Sequence, residues 1–276
     1  MKILKYIALS VLCIIGTGCV DFIDNAPDDQ LTLEMVFNDK VRTEDWLAGV
    51  YSGIPEPFEA PFRTVGYETA ADDVTPSQRW SDFWNNGKGH LLNWRVGAWS
   101  TDSPWDSNFW NRLPQRIRSG YIFIENVHAN PRQGVTEKDV ENMKNECRFL
   151  IAYYYWILTE AYGSVPFFDG VADVNAPMEG LMRGQRSFDE TVDWIDKELT
   201  DLAQKLPVKW APDYFGRATS NAALAVREKM LLFAASPLVN GNPMYKGFLN
   251  HDGKERFNST YDPEKWKRAT QASKDL

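Results

Sequence analysis

The chain has 276 residues with a formal net charge of −8, 43% hydrophobic and 25% charged residues, ordinary proportions for a globular protein with a substantial core. The acidity argues against nucleic acid and against adhesion to anionic lipid, and leaves neutral or cationic ligands open. What departs from the average is aromatic content: eleven Trp, eleven Tyr and fifteen Phe.

In chain order, Lys2 and Lys5 precede an apolar run from Ile7 to Ile15, followed by Gly16-Thr17-Gly18-Cys19. This reads as a secretory signal over residues 1–18. The small residue before Cys19 is what lipoprotein processing requires, so Cys19 is expected to be acylated, although Gly16 stands where Leu is usual. The apolar run is too short to span a bilayer. Loss of Cys13 with the signal and acylation of Cys19 would leave Cys147 alone, so no intrachain disulfide is expected. Residues 19–42 are read as the lipid-bearing Cys and a tether, the stretch DFIDNAPDDQLT being polar and unpatterned.

A first helix is expected from about Thr43 to Gly53, with Trp46, Leu47, Val50 and Tyr51 on one side and Pro55 and Pro57 beyond its end. Residues 56–104 carry scattered Pro, Gly, Asn and Asp with no steady period, and a loop of this length is usually functional or holds short elements of its own. The spacing predicts a second helix from Pro114 to Ala129, with Pro114 in its first turn and Ile117, Tyr121, Ile124 and Val127 aligned.

The strongest pattern runs from Thr136 to Gly163. Val140, Met143, Cys147, Leu150/Ile151, Tyr154, Leu158 and Ala161 alternate steps of three and four, Thr136 and Asp139 form a capping box, and Gly163 with Pro166 supplies the exit. From Phe149 to Trp156 this helix is apolar nearly all round, which implies neighbours on several sides. Ser187 and Glu190 open a further helix with Phe188, Val192, Ile195, Leu199, Leu202 and Leu206 in register; Thr219 or Ser220 opens an alanine-rich one ending before Pro237. Asn240-Gly241-Asn242-Pro243 is a turn, and Asp262 with Pro263 starts the last helix, carrying Trp266, Ala269, Ser273 and Leu276 on one face. Helix after helix without strand alternation predicts an all-α fold of tetratricopeptide-like pairs with long irregular loops, repeats being degenerate because no strict 34-residue period is visible. The domain so defined, 43–276, is expected to be incomplete at its C-terminus.

Chemistry-bearing motifs are few. His90, His128 and His251 are far apart, so no metal site is expected, and there is no nucleophile elbow, phosphate loop or dinucleotide fingerprint calling for a cofactor. Six tryptophans, Trp80, Trp84, Trp94, Trp99, Trp105 and Trp110, fall within one stretch and are interleaved with Arg79, Asn85 and other polar residues. Indole faces can stack on the C–H faces of pyranose rings while amides, carboxylates and guanidinium groups share hydrogen bonds with hydroxyls. For Trp80, Trp84 and Trp94, glycan binding and packing both fit; for Trp105 and Trp110 packing against the following helix is the expected role. Tyr153, Tyr154, Tyr155 and Trp156 belong to the core. Asp72-Asp73 is the acidic pair of the loop; a solvated or calcium-binding pair is the plainer reading, and a glycosidase pair the sharper one. The candidate ligand-binding set is Asp72, Asp73, Arg79, Trp80, Trp84, Asn85 and Trp94.

Taken together, Cys19-Val20-Asp21-Phe22-Ile23-Asp24, Trp46-Leu47-Ala48-Gly49-Val50-Tyr51, Asp72-Asp73, YIFIEN from Tyr121 to Asn126, ECRFLIAYYY from Glu146 to Tyr155, Tyr162-Gly163-Ser164-Val165-Pro166, Arg217-Ala218-Thr219 and Ala234-Ala235-Ser236-Pro237-Leu238 resemble the SusD/RagB family of outer-membrane nutrient-binding lipoproteins. Gly120 departs from the Asn common at its position, at little expected cost. The resemblance implies a helical, surface-tethered lipoprotein that captures glycan without cleaving it and passes it to a SusC-like TonB-dependent transporter, of which it forms the lid. It also implies a longer protein than this chain. The alternatives are an all-helical surface glycoside hydrolase using the loop carboxylates, and a lid or adhesin without a glycan site.

Overall fold

The computed structural model describes residues 31–55 and 107–276; Cys19 and the whole candidate set from Asp72 to Trp94 lie outside the described residues. The chain divides between Val36 and Phe37 into two units. Among the described residues there are eight α-helices and no strand beyond isolated bridges. They are α1 (Leu33–Phe37), α2 (Lys40–Tyr51), α3 (Ser107–Asn126), α4 (Glu137–Tyr162), α5 (Met178–Leu181), α6 (Phe188–Lys205), α7 (Ser220–Ala235) and α8 (Glu264–Asp275). None is long and apolar enough to cross a membrane.

The expected capping signals set the boundaries. Thr136 Oγ1 accepts from the Asp139 amide while the Asp139 carboxylate accepts from the Thr136 amide, and Ser187 and Glu190 repeat the exchange at the start of α6. Thr219 caps α7 through the Ala222 amide. Gly163 leaves α4 at φ 72°, where an added Cβ would also lie 2.4 Å from the Phe257 ring. Three boundaries differ from the sequence expectation, one being the end of α3 at Asn126 rather than Ala129. Helix begins before Thr43, with α1 from Leu33 and α2 from Lys40, the latter capped by Asp39 accepting from the Arg42 amide. And α3 begins at Ser107, seven residues ahead of Pro114, which sits inside the helix. Pro114 offers no N–H to the carbonyl of Trp110; Phe109, Leu113, Ile117 and Phe123, all buried on one side, hold the helix through that gap.

Successive long helices pack as antiparallel neighbours. Trp46 of α2 donates its indole N–H to the Ser119 carbonyl of α3, Gly120 of α3 meets Cys147 and Ile151 of α4 while Trp110 meets Tyr162, and Arg148 and Tyr155 of α4 meet Glu198 and Trp194 of α6. Arg227 of α7 pairs with Asp196 of α6 and Asp275 of α8. Gly120 is more than a neutral departure: a Cβ there would lie 3.0 Å from Ile151, so its absence lets α3 and α4 approach.

The centre is α4, which touches α2, α3, α6 and α7. Leu150, Ala152, Tyr154 and Cys147 have no exposed surface, and Trp156 and Tyr155 almost none, as the all-round apolar pattern requires. Burying a side chain the size of Leu150 stabilises by roughly 1.5–3 kcal/mol. Within this core Glu146 is fully buried. Its carboxylate receives Arg217 Nε and Nη2, both at 2.6 Å, and the Tyr51 hydroxyl, also at 2.6 Å. Burial pushes the Glu146 carboxyl up against the pull of Arg217 and Tyr51, and pushes the Cys147 thiol up as well.

Candidate functional site

The α3 sequence builds two stripes that run side by side. Trp110, Pro114, Ile117 and Tyr121 form an apolar and aromatic one; Asn111, Gln115 and Arg118 form a polar one, and both line a groove of about 490 Å³. The floor is completed by Tyr155 and Leu158 of α4, and the opposite wall by Val165, Pro166, Phe168, Gly170 and Ala172. Hollows lined by Arg217 and Trp210, and by Lys265 and Asp189, are smaller, about 240 and 120 Å³.

The wall is fixed from several directions. The Tyr155 hydroxyl donates to the Phe168 carbonyl at 3.0 Å and accepts from the Phe168 amide at 2.9 Å. Pro166 bridges Gln185, the Arg186 amide donates to the Val165 carbonyl at 3.0 Å, and Glu125 accepts from the Val171 amide. Arg186 lies 3.7 Å over the Phe167 ring, and Phe167 stacks on Tyr155 at 4.5 Å between centroids. A groove walled this way is formed before any ligand arrives, which removes an ordering cost from binding.

Trp110 is 46% exposed, held edge-on against Tyr162 at 5.2 Å. The sequence expectation is of a loop residue packing against the following helix; instead the helix already includes Trp110, Phe109 takes the interior position, and Trp110 lies half exposed against Tyr162. Among the described residues Asn111, Gln115, Arg118 and Tyr121 make no side-chain hydrogen bond to the protein, and no carboxylate lines the groove. Burial pushes the Tyr121 phenol up, so it stays a neutral hydroxyl, able to donate and accept. The combination of flat ring faces with amide, hydroxyl and guanidinium groups suits a polyhydroxylated ligand whose C–H faces can rest on rings. Among the described residues no group of three or more His, Cys, Asp or Glu side chains is placed to hold a metal ion.

None of the groove residues was in the candidate set read from the sequence. With Pro114 taken as the first helical residue, Trp110 and Asn111 fell into the loop; the spacing of Phe109, Leu113 and Ile117 is the signal that would have extended the helix. The loop set itself, Asp72, Asp73, Arg79, Trp80, Trp84, Asn85 and Trp94, is outside the described residues, so the groove neither includes nor excludes it.

Comparison with known proteins gives consistent matches. A SusD-like family model, described as starch-binding associating with outer membrane, matches residues 21–232. SusD-like protein P25 of Formosa agariphila is 21% identical over 234 residues, covering 83% of this chain and 43% of that protein. The solved structure of BT4246 superposes with a TM-score of 0.71 at 29% identity, over 85% of this chain and 39% of that one. A SusD-like protein, BF3747, from Bacteroides fragilis has the same fold at 21% identity and a TM-score of 0.59, over 79% of this chain and 38% of its own. The chain thus spans about two fifths of the length of these relatives.

Proposed function

This chain belongs to the SusD-like family, and from that premise we propose that it is a non-catalytic, surface-exposed glycan-binding lipoprotein of the outer membrane. The observation that carries the reading is the preformed groove on α3, which an exposed indole lines together with four polar side chains that make no hydrogen bond to the protein among the described residues. Oligosaccharide lies with a pyranose face on Trp110 and its hydroxyls on Asn111, Gln115 and Tyr121. The loop that leads into α3 extends the contact through Trp80, Trp84 and Trp94 by stacking, and through Asp72, Asp73, Arg79 and Asn85 by hydrogen bonds to hydroxyls. Several weak contacts of this kind add up along a polymer chain better than along a monosaccharide.

Cys19, acylated after removal of residues 1–18, holds the protein to the membrane through a tether that ends ahead of α1, and the helical domain that follows delivers captured glycan to a SusC-like TonB-dependent transporter. The fold's all-helical pairs supply the rigid platform, and the acidic net charge is compatible with neutral polysaccharide.

The test is isothermal titration of the purified protein with starch-derived and other oligosaccharides, alongside an assay for new reducing ends. Binding without release of reducing sugar supports the reading. Release abolished by Asp73→Asn would replace it with a hydrolase. Absence of binding across the panel, with intact association to a transporter, would replace it with a structural lid.

A further inference from the structure

We infer that the α3 groove selects glycans bearing an anionic substituent, a carboxylate or a sulfate ester, and that Arg118 is the residue that reads it; this rests on the glycan-binding reading above. Four of the twelve arginines among the described residues are neutralised by acids. Arg148 pairs with Glu198 and Asp201, Arg217 with Glu146, Arg227 with Asp196 and Asp275, and Arg268 with Asp193 and Asp196. Among the described residues, Arg118 lines the groove and makes neither an ion pair nor a side-chain hydrogen bond.

Its surroundings reinforce the point. In a chain with a net charge of −8, the groove lining contains no Asp or Glu among the described residues. Of the nearby acids, Glu125 is turned to the Val171 amide, Glu198 is paired with Arg148, and Asp169, between the wall residues Phe168 and Gly170, is near enough to act on Tyr121 though it does not line the groove. The groups beside Arg118 that could share an anion's oxygens are donors or can donate: the Gln115 amide, one turn before it, and the Tyr121 hydroxyl, one turn after it. A guanidinium with two flanking neutral donors matches a planar carboxylate through a fork, and can also take two oxygens of a sulfate. For an uncharged sugar the same guanidinium offers only ordinary hydrogen bonds, so discrimination arises from the charge.

The decisive experiment titrates the full chain with three matched pairs of oligosaccharide: uronate-containing against its carboxyl-reduced form, sulfated against its desulfated form, and a neutral glucan of equal length as reference. Arg118→Gln and Arg118→Lys are measured beside the wild type, each checked by circular dichroism. The inference expects at least one acidic ligand to bind about ten-fold more tightly than its neutralised partner. That advantage should shrink with added salt, vanish in Arg118→Gln and persist in part in Arg118→Lys. Preference within the uronate pair identifies a carboxylate ligand, and within the sulfated pair a sulfate. Equal binding of acidic and neutral members, or an acidic preference unchanged in Arg118→Gln, overturns the inference while leaving glycan capture intact. If no glycan in any arm binds, both fall.

Discussion

The Tyr51 hydroxyl, near the end of α2, donates to the carboxylate of Glu146 in α4 at 2.6 Å and accepts from the Ala218 amide at 2.9 Å, so two side chains join three segments far apart in sequence. Arg217, which completes the cluster, lies 4.8 Å over the Trp210 ring and 5.0 Å over Tyr214. Glu146→Ala removes one partner and leaves the guanidinium and the phenol without the carboxylate that holds them. It should cost about 3 kcal/mol in denaturant unfolding. Glu146→Ala combined with Arg217→Met should cost less than Glu146→Ala alone, because no unpaired charge remains. A double variant at least as unstable as the single one would mean that the pair stabilises for a reason other than mutual compensation.

Acid should weaken the starts of α4 and α6. The Thr136 hydroxyl and amide hold the Asp139 carboxyl below its ordinary range, and the Ser187 hydroxyl and amide do the same for Glu190. A depressed folded-state pKa means stability that is present above the unfolded value and lost as pH falls through the folded one. The window therefore opens below about pH 4, the ordinary carboxylate value. The melting temperature of Asp139→Asn and Glu190→Gln should fall less steeply over that range than that of the wild type. Thr136→Ala and Ser187→Ala should each lose about 1 kcal/mol at neutral pH.

Gly163→Ala should be among the more damaging single-methyl additions. The position needs φ 72°, which an L side chain adopts at a cost, and the methyl would meet Phe257 at 2.4 Å. Loss of about 2 kcal/mol or more is expected from thermal unfolding. Gly134→Ala should cost less on both counts, because its φ of 74° and ψ of 23° lie in the left-handed helical region and nothing lies within 4 Å of its added Cβ, whereas Gly163 has ψ −118°.

Trp110→Ala should weaken oligosaccharide binding about ten-fold while leaving the unfolding midpoint nearly unchanged, since the ring is half exposed and its main partner, Tyr162, is itself at the surface. Trp80→Ala and Trp84→Ala should add to that loss if one ligand spans both places. Binding measured by titration and stability measured by denaturation separate the two roles. An equal fall in both would assign Trp110 to packing.

How much could be read beforehand follows from where the signals are local. Thr136 with Asp139, Ser187 with Glu190, and Thr219 announced helix starts because a cap is a contact between residues three apart. The apolar girdle of α4 announced its central place. Pro114 misled, because its preference for a first turn says nothing about whether upstream packing is strong enough to carry a helix through it. The same error hid the polar stripe of α3. The Tyr51, Glu146 and Arg217 cluster, although each residue stood in a stretch carrying the family resemblance, depends on contacts across 71 and 95 residues, and no periodicity reports those. Neither does the wall from Val165 to Ala172, whose shape is set by Tyr155, Gln185 and Arg186.

Because α4 is enclosed by four other helices, its inner amides have no small local opening through which water could reach them. Deuterium uptake at Leu150 to Leu158 should then follow only the whole-molecule unfolding equilibrium, whereas the turns from Leu238 to Asp262 can label by separate, cheaper fluctuations. The slowest-labelling peptide in the protein would thus double as a gauge of its total stability.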